Sequence, residues 1–104
     1  MNEELVVIGA GFDALRVVEL AANLGWRTTV VDTCARASSL ERFRKADAVV
    51  LCRPEDVTSQ VSLFERALVV VMTHDYVQDL EILRQLGCLE LAAESSIEFA
   101  AYVA

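Results

Sequence analysis

Apolar residues occur along this chain in two alternating rhythms. Leu5-Val6-Val7-Ile8, Thr28-Thr29-Val30-Val31, Ala48-Val49-Val50-Leu51-Cys52 and Ala67-Leu68-Val69-Val70-Val71-Met72 are short runs of β-branched and apolar residues, the composition of parallel strands covered on both faces. Between them, Leu15, Val17, Val18, Leu20, Ala21 and Leu24, and later Val77, Leu80, Ile82, Leu83 and Leu86, recur at helical spacing. Gly25 and Gly87 stand where these two helices are expected to stop. Leu40 to Arg44 predicts a short helical turn, Pro54 is placed to open another, and residues 59–66 are weakly helical. The pattern then divides: residues 88–91 read as strand or linker, residues 92–101 as helix, and residues 99–103 as an edge strand. Strands separated by helical segments need right-handed crossovers and hence a parallel sheet. The expectation is an α/β, three-layer Rossmann-like domain spanning residues 1–104, with four to five parallel strands, truncated relative to a full doubly wound fold.

The first change of rhythm falls at Gly9-Ala10-Gly11. Gly9 lets the chain turn tightly off the strand, and Gly11, lacking a Cβ, lets a ligand's phosphates approach the backbone at a helix N-terminus. Phe12 and Asp13 carry the loop into the helix, and Ala14 replaces the third glycine of the dinucleotide pattern. About twenty residues on, the second apolar run ends at Asp32, followed by Thr33, where an acid would bind a ribose hydroxyl pair. In Rossmann order the first and fourth strands are neighbours, so Thr73-His74-Asp75 faces the same crevice as the glycine loop. Each feature has a plainer reading. The glycines serve tight packing equally well, Asp32 can be a solvated strand-end acid, and Thr73 and Asp75 can cap the next helix. Asp13 suits a helix N-terminus but repels a pyrophosphate if it points into the loop.

A net charge of −7 argues against sequence-independent binding to nucleic acid or an anionic membrane, both of which need a positive surface. The hydrophobic fraction of 55% comes without any apolar stretch of membrane-spanning length, and Met1-Asn2-Glu3-Glu4 lacks the positive start of a signal peptide. A cytoplasmic location is expected. Cys34, Cys52 and Cys88 form no C-x-x-C, which fits a reducing compartment and argues against a disulfide framework or structural zinc. Cys34 and Cys52 follow neighbouring strands and could meet at the crevice rim, although small buried hydrophobes are the commoner role. His74 has no nucleophile beside it except Thr73, so no catalytic constellation is read here and Thr73-His74-Asp75 is taken as pocket lining. The run Glu41-Arg42-Phe43-Arg44-Lys45 could meet a cofactor's phosphate or cover the sheet's outer side, and is read as a solvated face.

Taken together, Gly9-Ala10-Gly11, Val30-Val31-Asp32, Glu41-Arg42-Phe43 ahead of Ala46-Asp47, and Thr73-His74-Asp75 with Asp79 resemble the Rossmann domain of the XdhC/CoxI family of xanthine dehydrogenase accessory factors. The chain departs from that pattern at Phe12, Cys34 and Arg44, with an arginine at Arg36 instead. The resemblance implies a non-catalytic maturation factor that binds molybdenum cofactor while its sulfur ligand is installed. It implies a molybdenum hydroxylase apoenzyme or a sulfurating desulfurase as partner. The cofactor-binding residues expected are Gly9, Ala10, Gly11, Phe12, Asp13, Asp32, Thr33, Thr73, His74 and Asp75, with no metal ligands. An NAD(P)-binding domain of an oxidoreductase or sensor and a ligand-free interaction scaffold are the alternatives. A short sheet with an open apolar edge predicts a homo-oligomer.

Overall fold

The computed structural model describes residues 3–34, 36–61, 67–92 and 99–103. Strand β1 (Glu4–Ile8) leads into helix α1 (Phe12–Asn23), followed by β2 (Arg27–Asp32), the short α2 (Ser38–Arg42) and β3 (Ala48–Leu51). A 3-10 turn opened by Pro54 runs into α3 (Val57–Gln60), and β4 (Ala67–Val71), α4 (Tyr76–Ala92) and β5 (Phe99–Val103) complete the order. The five strands pair in the order β3-β2-β1-β4-β5, and every pairing is parallel. The α/β Rossmann-like sheet expected from the sequence is therefore present, with β1 and β4 adjacent in register Ile8 to Val71.

Each central strand alternates between two apolar cores because successive side chains leave opposite faces of a sheet. Val6 and Ile8 pack with Val31, Val69, Val71, Ile82 and Leu86 on the α4 side. Leu5 and Val7 pack with Ala14, Val18, Ala21 and Val30 under α1. Small residues at Ala14 and Ala21 let α1 lie close on the sheet, as the third position of the glycine pattern requires. No described helix is long and apolar enough to cross a membrane.

Two glycines are dictated by the backbone. Gly25 adopts φ 80° just past α1, where its amide reaches the carbonyl of Ala22 and the Trp26 amide reaches Ala21, a paired C-terminal cap that needs the left-handed conformation. Gly9 sits at φ 137°, and a Cβ there would lie 2.4 Å from the Met72 carbonyl oxygen. This glycine is spent on bringing the end of β1 against the end of β4.

Several local expectations are revised. Gly87 does not end α4, which continues to Ala92 through the residues read as strand or linker. Gly87 is absent from the positive-φ residues, so it takes an ordinary helical position and lacks the left-handed geometry that stops a helix. Phe43 is not part of a solvated face: it is 0% exposed, packed into the α1-side core. Residues 99–103 form the edge strand of the two readings considered, whereas the helical reading of residues 93–98 and that of residues 62–66 lie outside the described residues.

The two glycines give opposite expectations. Gly9→Ala should cost about 2 kcal/mol or more, since the new methyl meets fixed backbone at a disfavoured φ. Gly87→Ala should stabilise by about 0.5–1 kcal/mol, because a Cβ there meets none of the described residues within 4 Å and alanine is the better helix former. Urea unfolding of both variants against the parent checks the pair.

Candidate functional site

The C-terminal ends of β1, β2 and β4 open into one crevice of about 330 Å³. Gly9, Ala10 and Gly11 form its floor, Asp32 and Thr33 line it from β2, and Thr73, His74 and Asp75 line it from the turn before α4. These eight residues were expected there. Cys34, Arg36, Met72 and Gln78 line it too. Phe12 and Asp13 were expected among the binding residues but are not part of the lining: Phe12 is 73% exposed beneath the guanidinium of Arg42, 4.8 Å from its ring centre, and Asp13 turns to His74.

Asp32 is 1% exposed, and its carboxylate is occupied by its own connection. One oxygen accepts the Cys34 amide at 2.8 Å. The other accepts the Ser39 hydroxyl at 2.5 Å and both the amide and Nε of Arg36 at 3.3 Å. Burial alone would push this carboxyl up, but the Ser39 hydroxyl, the Cys34 amide and Arg36 together hold it below the ordinary aspartate range. Its chemistry is that of a carboxylate which folds the β2–α2 loop, and α2 carries that order onward. Arg42 donates to the Ala10 carbonyl at 3.0 Å and so braces the glycine loop from behind.

The opposite wall is built in the same manner. Asp75 caps α4 by accepting the Val77 amide at 3.0 Å and the Gln78 amide at 3.2 Å. Thr73 donates its hydroxyl to the buried Asp79, which also accepts the Thr73 amide. Held between these two, His74 adopts φ 64° and extends its Nε2 to the carboxylate of Asp13 across the mouth of the crevice. That hydrogen bond is the main reason the Asp13 carboxyl lies below its ordinary range. A bond from the Thr33 hydroxyl to Gln78 Oε1 at 2.6 Å ties the β2 side to α4.

Gly11 differs from Gly9. Its backbone is extended, with φ −81° and ψ −177°, a conformation open to any residue, and among the described residues a Cβ would meet the Asp13 carboxylate at 2.9 Å, whose oxygens are held by the Ala14 amide and by His74. Among the described residues, the amides of Ala10, Gly11 and Phe12 donate to no acceptor. The fold therefore leaves donors and open space at the N-terminus of α1, the arrangement that receives an anionic or polar ligand. The cysteines do not share a role: Cys34 is exposed at the crevice, whereas Cys52 is buried in the α4-side core, where burial raises its thiol pKa. Among the described residues no group of histidine, cysteine and carboxylate side chains is placed to hold a metal.

Sequence reasoning passed over Gln78 and took Arg42 for part of a solvated charge run. Their signals were faint: Gln78 lies one turn into a helix read for its apolar face, and Arg42 belongs to a charge run that resembles any solvated surface.

The family model of the XdhC Rossmann domain matches residues 5–97. The chain belongs to the XdhC family. Among curated proteins it is 33% identical over 82 residues to a probable xanthine dehydrogenase component of Bacillus subtilis (strain 168), a match covering 79% of this chain and 25% of that protein. Among solved structures it is similar to a xanthine dehydrogenase from Bacillus halodurans, with a TM-score of 0.76 and 28% identity, over 96% of this chain and 28% of that one. This XdhC Rossmann domain thus spans about a quarter of the length of the relatives it matches.

The lowered Asp32 value fixes the sign of a pH effect. A carboxylate with a depressed folded-state pKa stabilises above the ordinary aspartate range, and the contribution is lost as pH falls through the folded value. Asp32→Asn is expected to lower stability at pH 7 by about 1–3 kcal/mol. The gap to the parent should narrow below about pH 4. Denaturant titrations at a series of pH values measure both.

Proposed function

We propose that this chain is the ligand-holding domain of an accessory factor for a xanthine dehydrogenase-type molybdenum hydroxylase, and that its crevice receives molybdenum cofactor. Membership of the XdhC family and the names of its relatives support the association with xanthine dehydrogenase. The observation that carries the ligand reading is Gly11. Its extended backbone does not require glycine, and beside it the unpaired amides of Ala10 and Gly11 stand open in the crevice.

When bound, the cofactor would supply a molybdenum dithiolene on a pterin that ends in a phosphate. The chain's own part is to bind and orient. The amides of Ala10, Gly11 and Phe12 are donors to polar or anionic edges. The wall built by Thr73, His74 and Asp75 closes one side, and the loop organised by Asp32, with Thr33 beside it, closes the other. The pairing of Asp13 with His74 sets the Asp13 charge against an imidazole, which reduces the repulsion a carboxylate beside this loop would exert on an anion. The natural partners in this reading are the hydroxylase apoenzyme and the desulfurase that sulfurates the cofactor. β3 and β5 end the sheet and offer strand edges for a homo-oligomer.

An NAD(P)-binding domain is the second reading, carried by Asp32 at the end of β2. It is the weaker one, because the Asp32 carboxylate already accepts four hydrogen bonds from its own loop.

Titration calorimetry with purified molybdenum cofactor and, separately, NAD should show heat with the former that disappears in Gly11→Val, with circular dichroism confirming that the variant is folded. Binding of NAD alone would transfer the assignment to the second reading, and silence with both ligands would overturn a ligand-holding role. Light scattering should return a mass above that of one 11.4 kDa chain; a monomer at high concentration would remove the homo-oligomer.

A further inference from the structure

Among the described residues the crevice is lined by two basic side chains, and only one of them keeps free donors. His74 is engaged with Asp13. Arg36 donates its Nε to Asp32, while its two terminal guanidinium nitrogens donate to no described group and its side chain is 50% exposed. The anchoring bond matters more than the exposure. A guanidinium pinned through Nε to a 1% exposed carboxylate, whose loop is also held by the Cys34 amide and Ser39, keeps its other edge in a set direction at little entropic cost. That edge presents parallel N–H donors, the geometry that matches phosphate bidentately.

The acids of the lining do not compete for it elsewhere. Asp32 is saturated by its loop, and Asp75 is committed to the amides of Val77 and Gln78. At the other end the glycine loop has the Asp13 carboxylate beside it, within 2.9 Å of where a Gly11 Cβ would stand. The glycine loop offers neutral amides and the β2 end a guanidinium with free N–H groups, so a dianionic group is better placed at the β2 end and the less charged part of a ligand over the glycine amides.

We infer that Arg36 is the phosphate-recognition residue of the crevice: the ligand carries a phosphomonoester, bound by the free edge of the Arg36 guanidinium at the end of β2, with its ring system extending over Gly9-Ala10-Gly11 toward Thr73-His74-Asp75. This rests on the ligand-holding reading above and adds the polarity of binding to it. The same chemistry occurs in the terminal phosphate of a pterin cofactor and in the 2′-phosphate of NADP. Asp32 is a positioning residue for Arg36, acting through it.

The test compares each ligand with its dephosphorylated partner on the full chain: molybdopterin against phosphatase-treated molybdopterin, and NADP against NAD, in the parent, Arg36→Ala, Arg36→Lys and Ser39→Ala. Loss of a charge-assisted bidentate contact should cost about tenfold or more in affinity. In the parent the phosphorylated form should bind at least that much tighter. The ratio should fall to about one in Arg36→Ala, recover in part in Arg36→Lys, and persist in Ser39→Ala, which loosens the loop but keeps the guanidinium. A phosphate preference that survives Arg36→Ala overturns the inference, as does equal binding of both forms to the parent or binding of neither pair. An Arg36-dependent preference for NADP without any pterin binding upholds the inference and overturns the cofactor reading on which it was built.

Discussion

A carboxylate buried at the end of a strand has to be given partners, and at Asp32 the seven residues that follow supply all of them. Desolvating an anion without compensation costs far more than a small domain can spare. The chain after β2 is consequently not free to wander. It must return the Cys34 amide, the Arg36 amide and side chain, and the Ser39 hydroxyl to one point. That requirement sets where α2 starts, and α2 in turn drops Phe43 into the α1-side core and lays Arg42 on the Ala10 carbonyl. One buried charge thereby connects the β2 end to the glycine loop.

The two walls of the crevice use the same physics. Asp32 on one side and Asp75 with Asp79 on the other are acids satisfied by local amides and hydroxyls, so the rim is stiff where it would otherwise be loop. The bridges between the walls are few and polar: Thr33 to Gln78, and Asp13 to His74. Contacts of this kind can open at lower cost than the packed strands beneath them. The domain thus combines a rigid sheet with a mouth whose closing contacts are polar and at most partly buried.

Glycine residues that look equivalent in the loop have separate reasons to exist. Gly9 is demanded by the approach of two strand ends, and would be needed in a scaffold that bound nothing. Gly11 is not demanded by its backbone conformation, and a side chain there would press on the Asp13 carboxylate that meets Ala14 and His74. A motif match treats both alike; the contacts of a hypothetical Cβ separate them.

The sheet was legible in the order of residues, because continuous apolar strands alternating with amphipathic helices have one economical parallel solution, and the crevice followed from the adjacency of β1 and β4. Eight of the expected binding residues line that crevice for the same reason: strand ends and helix starts are local features. The partners of those residues were settled in three dimensions alone. Whether Asp32 faces a ligand or its own loop, whether Asp13 enters the crevice or meets His74, and whether Phe43 is surface or core depend on side chains brought together from distant parts of the chain. Gly87 shows the same division within a helix, since a glycine stops a helix only where the backbone turns left-handed, and through that position the chain remained helical.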